Sequence, residues 1–207
     1  GHFWDAVGHW FGRVVAMDSV AEKQTQERET SEPPTRPKGH FWDAVEFGDL
    51  AEVEVWLAYH RDMAAHSGTA MDEYVNKPSR DTASNAVLLA VKAGKEDVAL
   101  LLLQHSADPT VQNSHGSTAL HLACYKGMAG VVAWFIDEKK AEPSVLQNGF
   151  SAVDSEGSTC MHEAARKSRK GIVQMLLNCG VDKGAKDKLG RTPAHLAADK
   201  AVRELLQ

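Results

Sequence analysis

From about residue 84 onward the apolar positions fall into short helical stretches. Glu96 to Asp108 (EDVALLLLQHSAD), Ala129 to Ala141 (AGVVAWFIDEKKA) and Gly171 to Asp182 (GIVQMLLNCGVD) carry apolar residues at i, i+1, i+4 and i+5. This spacing lines one face of a helix against its neighbours. A second kind of pattern opens the chain. Phe3, Trp4, Val7, Trp10, Phe11, Val14 and Val15 recur at three- and four-residue steps, which predicts a strongly aromatic amphipathic helix over residues 1–21. The predicted fold class is all-α.

The stretches repeat. GSTALHLACYKG (Gly116 to Gly127) returns as GSTCMHEAARKS (Gly157 to Ser168) and as GRTPAHLAADK (Gly190 to Lys200), with Thr-x-x-His common to all three. Thr159 and Thr192 are 33 residues apart, as are Gly94 and Gly127, which end two successive first helices. Thr118 and Thr159 are 41 apart, so about eight residues are inserted around EPSVLQNGFSAVD. Gly48 and Gly94 are 46 apart, which leaves about thirteen extra residues near Tyr59 to Tyr74. A regular period of this length marks a repeat array in which each unit stacks on its neighbours. Thr at the start of each first helix can accept a backbone N–H as a cap. Gly48, Gly94 and Gly127 suit helix ends that require positive φ.

The Thr-x-x-His turns, the glycine break and second helices ending in Leu-Leu before Gly-x-Asp or Ser-Ala-Asp resemble the ankyrin repeat. The resemblance covers residues 39–207, with repeats near 39–75, 80–112, 113–153, 154–186 and 187–207. It implies an ankyrin-repeat solenoid, helix-turn-helix units with hairpin-like loops. Two copies are weaker: DTASNAVLLAVKAG lacks the Thr-Pro-Leu-His opening, and Gly39 to Ala58 has Trp56-Leu57 where Leu-Leu is usual. In the last copy the glycine break and about four residues are missing before AVRELLQ, so its second helix is expected to be fused to the first or poorly formed. The resemblance further implies that His121, His162 and His195 hydrogen-bond backbone between repeats. It also implies that the binding surface is the concave side, built from first-helix ends and hairpin tips. Carried onto matching positions, this gives Phe47, Lys92, His115, Tyr125, Lys126, Arg166, Lys167 and Lys188 as candidate protein-binding residues. Tyr125 and Arg166 are the foremost anchors, because aromatic and Arg side chains dominate interface energetics.

GHFWDAV stands at residues 1–7 and again at 39–45, which suggests duplication of an entry helix. The aromatic face of the first copy, through Phe3, Trp4, Val7, Trp10, Phe11 and Val14, cannot stay in water. It is expected to cap the first repeat or to dock in a partner's groove. Binding at a membrane surface is the weakest reading, since Arg13, with Lys23 just beyond the helix end, is its only Lys or Arg and such helices are usually cation-rich. Residues 22–38 (EKQTQERETSEPPTRPK) are charged and contain proline, with no apolar residue large enough to seed a core, and read as a linker.

The 207 residues carry a net charge of −5 with 43% hydrophobic content, ordinary for a globular chain and without the basic excess that attracts nucleic acid or anionic membrane. The charge is uneven. Residues 160–191 hold eight cations against three carboxylates, a local +5, whereas residues 39–75 hold one cation against eight carboxylates, a local −7. Solvated faces of a polar solenoid account for such runs, and so does an electrostatically steered partner. The three cysteines, Cys124, Cys160 and Cys179, have no paired spacing, which points to an intracellular reducing compartment: cytosol, nucleus or organelle matrix. His121 with Cys124 and Cys160 with His162 stand at spacings reminiscent of zinc ligands. The repeat accounts for all four, with the thiols acting as small hydrophobes. Nucleophile-elbow, phosphate-loop, HExxH and EF-hand motifs are all missing. Catalytic, cofactor and metal roles are therefore not expected, and there is no apolar run long enough for a transmembrane helix. The chain starts at Gly1 and stops inside a helical pattern at Gln207, as a processed form or a piece of a longer protein would. The functional expectation is a non-catalytic interaction module or scaffold, an accessory subunit within a larger assembly. The alternatives are a regulatory domain of a longer enzyme or channel and, less favoured, a nucleic-acid or anionic-lipid binder using the basic repeats.

Overall fold

In the amphipathic pairs the apolar stripe of each helix is too wide for its own partner to cover, so the chain must stack pairs on pairs. A computed structural model, which describes residues 35–67, 75–78, 84–139 and 150–207, shows this arrangement. Five helix pairs follow one another: α1 (Phe41–Phe47) with α2 (Leu50–Ser67), α3 (Ala86–Ala93) with α4 (Glu96–Gln104), α5 (Ala119–Lys126) with α6 (Ala129–Lys139), α7 (Cys160–Arg166) with α8 (Lys170–Asn178), and α9 (Pro193–Leu196) with α10 (Lys200–Leu206). First helices pack on first helices in the order α1, α3, α5, α7, α9, and second helices on second helices in the order α2, α4, α6, α8, α10. The result is two rows of helices, with no strand among the described residues. Pro37–Gln207 form one unit and Gly1–Arg36 another; the expected helix over 1–21 and most of the linker over 22–38 lie outside the described residues.

A single core runs the length of the stack. Phe41, Val45, Trp56, Leu57, Leu88, Leu102, Leu120, Met161 and Leu176 are all buried within it. Small residues at the first-helix positions, Ala90, Ala123, Cys124, Cys160, Ala164 and Ala165, are fully buried and let that row approach closely. Cys124 and Cys160 meet across the boundary between the third and fourth repeats, where hydrogen bonding between the two thiols and burial push the Cys124 thiol well above its ordinary range. Both are free thiols, and Cys124, with its thiol held protonated, is not poised to react as a thiolate.

The insertions have separate fates. The extra residues after Tyr59 begin by lengthening α2 to 18 residues, twice the nine of α4 and α8. Val75 then returns to the core, and Asn76 ties this segment to the end of the second repeat, its amide oxygen accepting from Asp108 N at 2.6 Å and its amide nitrogen donating to Ser106 O at 3.2 Å. The insertion before the fourth repeat re-enters at Phe150, buried edge-on against Phe135 with ring centroids 5.3 Å apart.

The fifth repeat departs from expectation. Its second helix is neither fused nor lost. The backbone turns extended at Ala197 (φ −70°, ψ 110°), and the Asp199 carboxylate accepts from Ala201 N at 2.7 Å to start α10 afresh. A helix cap has replaced the glycine break. Val202 and Leu206 then bury against the stack.

Gly48, Gly94 and Gly127 have φ of 82°, 82° and 92°, the left-handed conformation that ends a helix. Two serines adopt the same region, Ser106 at 62° and Ser168 at 52°, where an L side chain is strained. Replacing Ser106 by Gly is therefore expected to raise unfolding stability by about 0.5–1 kcal/mol. Gly127→Ala is expected to lower it by at least about 1 kcal/mol, because a Cβ there would also stand 2.9 Å from Arg169 Nε. Urea unfolding of both variants beside the parent chain checks the pair of signs.

Candidate protein-binding face

The third and fourth repeats are each fastened to the next by the same local device. In the third repeat, Thr118 N–H donates to His121 Nδ1 at 3.3 Å, and the hydroxyl lies 2.8 Å from the same nitrogen. Because a backbone N–H can only donate, Nδ1 is the acceptor and Nε2 carries the proton. That N–H points across the repeat boundary at Ala152 O (3.0 Å) and Ser158 O (3.1 Å). His162 repeats the geometry, with Thr159 N at 3.1 Å and Arg191 O at 3.0 Å. His195 makes the local half with Thr192 N at 3.1 Å and is exposed. In the second repeat Leu88 stands at the His position, and Asn85 supplies the cap, accepting from Leu88 N at 3.0 Å and donating to Asp108 O at 2.7 Å. The implied backbone bonding of His121 and His162 is present; among the described residues no cluster of three His, Cys, Asp or Glu could hold a metal ion.

Between repeats the chain makes turns that project as fingers. In the three fingers from Asn113 onward an Asn or Asp begins the turn and accepts two backbone N–H groups: Asn113 from His115 and Ser117, Asp154 from Glu156 and Ser158, Asp187 from Leu189 and Arg191, at 2.9 to 3.0 Å. Neighbouring fingers bond to one another, Ser155 N to His115 O and Lys188 N to Glu156 O, both at 2.9 Å. Asp187 is buried. Burial alone would raise its carboxyl, but the N–H donors of Arg191 and Leu189 and the Arg191 guanidinium at 2.7 Å outweigh it and hold the group below its ordinary range.

The residues expected to bind a partner lie on the face made by these finger tips and the first-helix ends. Phe47 at the end of α1 is 77% exposed, and Lys92 is exposed in the last turn of α3. Tyr125 and Lys126 close α5, Arg166 closes α7 and Lys167 follows it. His115 and Lys188 are exposed finger residues. Several are joined. Lys167 Nζ sits 4.4 Å above the Tyr125 ring, and Lys188 Nζ donates to Ser155 O at 2.7 Å. Arg166 contacts Glu163 at 3.2 Å, Glu156 at 3.5 Å and the Ser158 hydroxyl at 3.4 Å, so its guanidinium is engaged within its own repeat. Burial raises the Glu163 carboxyl, against the pull of Arg166.

Two further cations belong to this face. Lys95 covers Gly48, and Arg169 covers Gly127 while its Nε donates to Tyr125 O at 3.3 Å. Lys126 Nζ comes within 4.0 Å of where a Gly94 Cβ would be. Three cations thus lie over the C-terminal end of the preceding first helix, where the helix dipole is negative. The alignment of repeats held the signal for Lys95 and Arg169, which occupy the position directly after the break. Leu189, 74% exposed at the last finger tip, also belongs to the face.

A family model described as ankyrin repeats in three copies matches residues 41–147 and 144–207. The chain belongs to the ankyrin-repeat family. It is 36% identical over 99 residues to NF-kappa-B inhibitor alpha of Rattus norvegicus, covering 48% of this chain and 31% of that protein. It is 32% identical over 117 residues to neurogenic locus notch homolog protein 1 of Xenopus laevis, covering 56% of this chain and 4% of that protein. Over 85 residues it is 36% identical to the human tRNA endonuclease ANKZF1, covering 41% of this chain and 12% of that protein. The matched stretches thus span about a third or less of these relatives. Ankyrin repeats are protein–protein interaction modules, and among the described residues no helix is long and apolar enough to cross a membrane.

The histidine device makes stability depend on pH. Burial lowers the His121 pKa, against the Asp154 carboxylate and the two carbonyls, which raise it. The neutral ring is favoured in the fold, so its contribution is complete above about 6.5, the unfolded value, and is lost as pH falls toward the depressed folded value. Stability measured by urea unfolding is expected to fall between pH 7 and pH 5. The His121→Gln variant, though less stable at pH 7, should lose less over that interval.

Proposed function

We propose that this chain is a non-catalytic interaction module that acts as a scaffold or accessory subunit of a larger protein assembly, and that the finger and first-helix face is where it holds its partner. The observation that carries the reading is the continuity of that face. Bonds from finger to finger and from histidine to the next repeat join its third, fourth and fifth units into one surface, so a partner meets pre-organised side chains and little ordering entropy is lost. Phe47 and Tyr125 offer aromatic contact area there, and Lys92, Lys126, Lys167 and Lys188 set its charge. Arg166 acts chiefly by shaping the end of α7 through Glu163 and Glu156, which leaves Tyr125 as the foremost anchor. We assign the aromatic segment at Phe3, Trp4, Val7, Trp10, Phe11 and Val14 the role of a second docking element. No small-molecule substrate, cofactor or metal enters this reading, and the buried free thiols of Cys124 and Cys160 suit an intracellular reducing compartment.

A second reading has its own support. The matched stretch is 4% of the notch homolog and 12% of the tRNA endonuclease, so related repeats sit within much longer proteins, and this chain would then be a regulatory region of one.

Affinity capture from native extract distinguishes the two surfaces. The full chain is compared with a variant carrying Phe3→Ala, Trp4→Ala, Trp10→Ala and Phe11→Ala, and with Tyr125→Ala. The proposal expects Tyr125→Ala to weaken retention of the main partner by about tenfold, the effect of one interface anchor, and the N-terminal variant to lose a separate set of proteins. Identical capture by all three chains would remove both surfaces from consideration.

A further inference from the structure

The charge of the proposed face is opposite to that of the chain. Between α3 and the start of α8, the positions around the helix breaks carry six cations, Lys92, Lys95, Lys126, Arg166, Lys167 and Arg169, against two carboxylates, Glu96 and Asp97, of which Glu96 is engaged by Gly130 N–H, in a chain whose net charge is −5. Within the adjoining fingers the one exposed acid, Glu156, is taken up by Arg166, and Lys188 adds a further cation. The cations are held in place: Lys95 and Arg169 lie over the preceding helix ends, and Lys167 rests on Tyr125 at 4.4 Å. Fixed positive charge in a row, with an exposed aromatic group at one end in Phe47, is complementary to an extended segment of negative charge.

Resting on the reading that this face binds protein, we propose that its occupant is an acidic peptide segment of the partner, rich in Asp and Glu, laid across the second, third and fourth repeats. The structure favours a peptide over a single-stranded nucleic acid. Sequence-tolerant binding of bases needs a run of free aromatic faces for stacking; here the Tyr125 ring already carries the Lys167 ammonium, and the exposed Phe47 ring stands apart from it, beside the acidic Glu46 and Asp49. The acidic first repeat, with Glu46 and Asp49 beside Phe47, would repel a long polyanion and so limits the charged part of the segment to the three repeats that follow.

The test uses the full chain against a displayed library of random dodecapeptides, followed by fluorescence anisotropy with the best peptide. A single-stranded DNA oligonucleotide and phosphatidylserine vesicles are tested in parallel. Expected are peptides enriched in Asp and Glu, whose affinity falls at least about tenfold in the Lys126→Glu/Lys167→Glu variant and falls also between about 50 and 300 mM salt. Arg61→Glu, the same charge change on the exposed part of α2, should shift it less than about twofold. Lys92→Glu, in a separate repeat, repeats the test should the double variant unfold by circular dichroism. Selected peptides without acidic enrichment, or an equal loss in Arg61→Glu, would overturn the acidic occupant and leave protein binding by this face standing. Tight binding of the oligonucleotide or the vesicles with no peptide selected would overturn both.

Discussion

Everything in this molecule depends on contacts between neighbours. A pair of helices seven to eleven residues long, such as α5 and α6, cannot bury its own apolar surface, and short isolated helices are marginal in water. The boundaries between repeats supply what is missing. Alanines and cysteines bring the first helices close, and a buried imidazole satisfies carbonyls of the next repeat while accepting from its own Thr N–H. An unsatisfied carbonyl at such a boundary would cost about 1–3 kcal/mol, so the same contact that joins two repeats also sets their register. The geometry of the exposed face follows, since finger tips and first-helix ends are presented in whatever order the buried boundary dictates.

The polar features follow a related logic. Glu96 Oε1 accepts from Gly130 N at 2.6 Å, so a carboxylate of the second repeat caps the positive N-terminus of α6 in the third. Lys95, Lys126 and Arg169 reach in the opposite direction, over the negative ends of the first helices before them. Charges that look like solvated surface in the sequence therefore also bridge repeats, and they order the band of cations on the face without removing its net charge.

The period, the Thr-His pairs and the positive-φ glycines were legible in the chain because each is a local requirement of the repeat. The placement of Phe47, Lys92, Tyr125 and Arg166 at first-helix ends was legible too, from their positions relative to the helix breaks at Gly48, Gly94, Gly127 and Ser168. Contacts between distant residues were not. Nothing near Arg166 in the sequence says that Glu156, ten residues earlier, folds over the end of α7, and that contact is why the proposal puts Tyr125 ahead of Arg166 as anchor. The fifth repeat misled because a missing glycine suggests a missing break, whereas Asp199 ends the ambiguity by capping α10 with its own carboxylate. The length of α2 escaped notice because the insertion's composition does not distinguish a longer helix from a loop.

The central claim is that one face of the stack, and not the row of second helices, holds the partner. Site-specific photocrosslinking tests it most directly, with a benzophenone amino acid placed in the full chain at Tyr125 on that face or at Gln174, exposed on α8, and the chain irradiated in native extract. The account predicts a discrete covalent adduct from position 125 and none from position 174. An adduct from position 174 alone would contradict it.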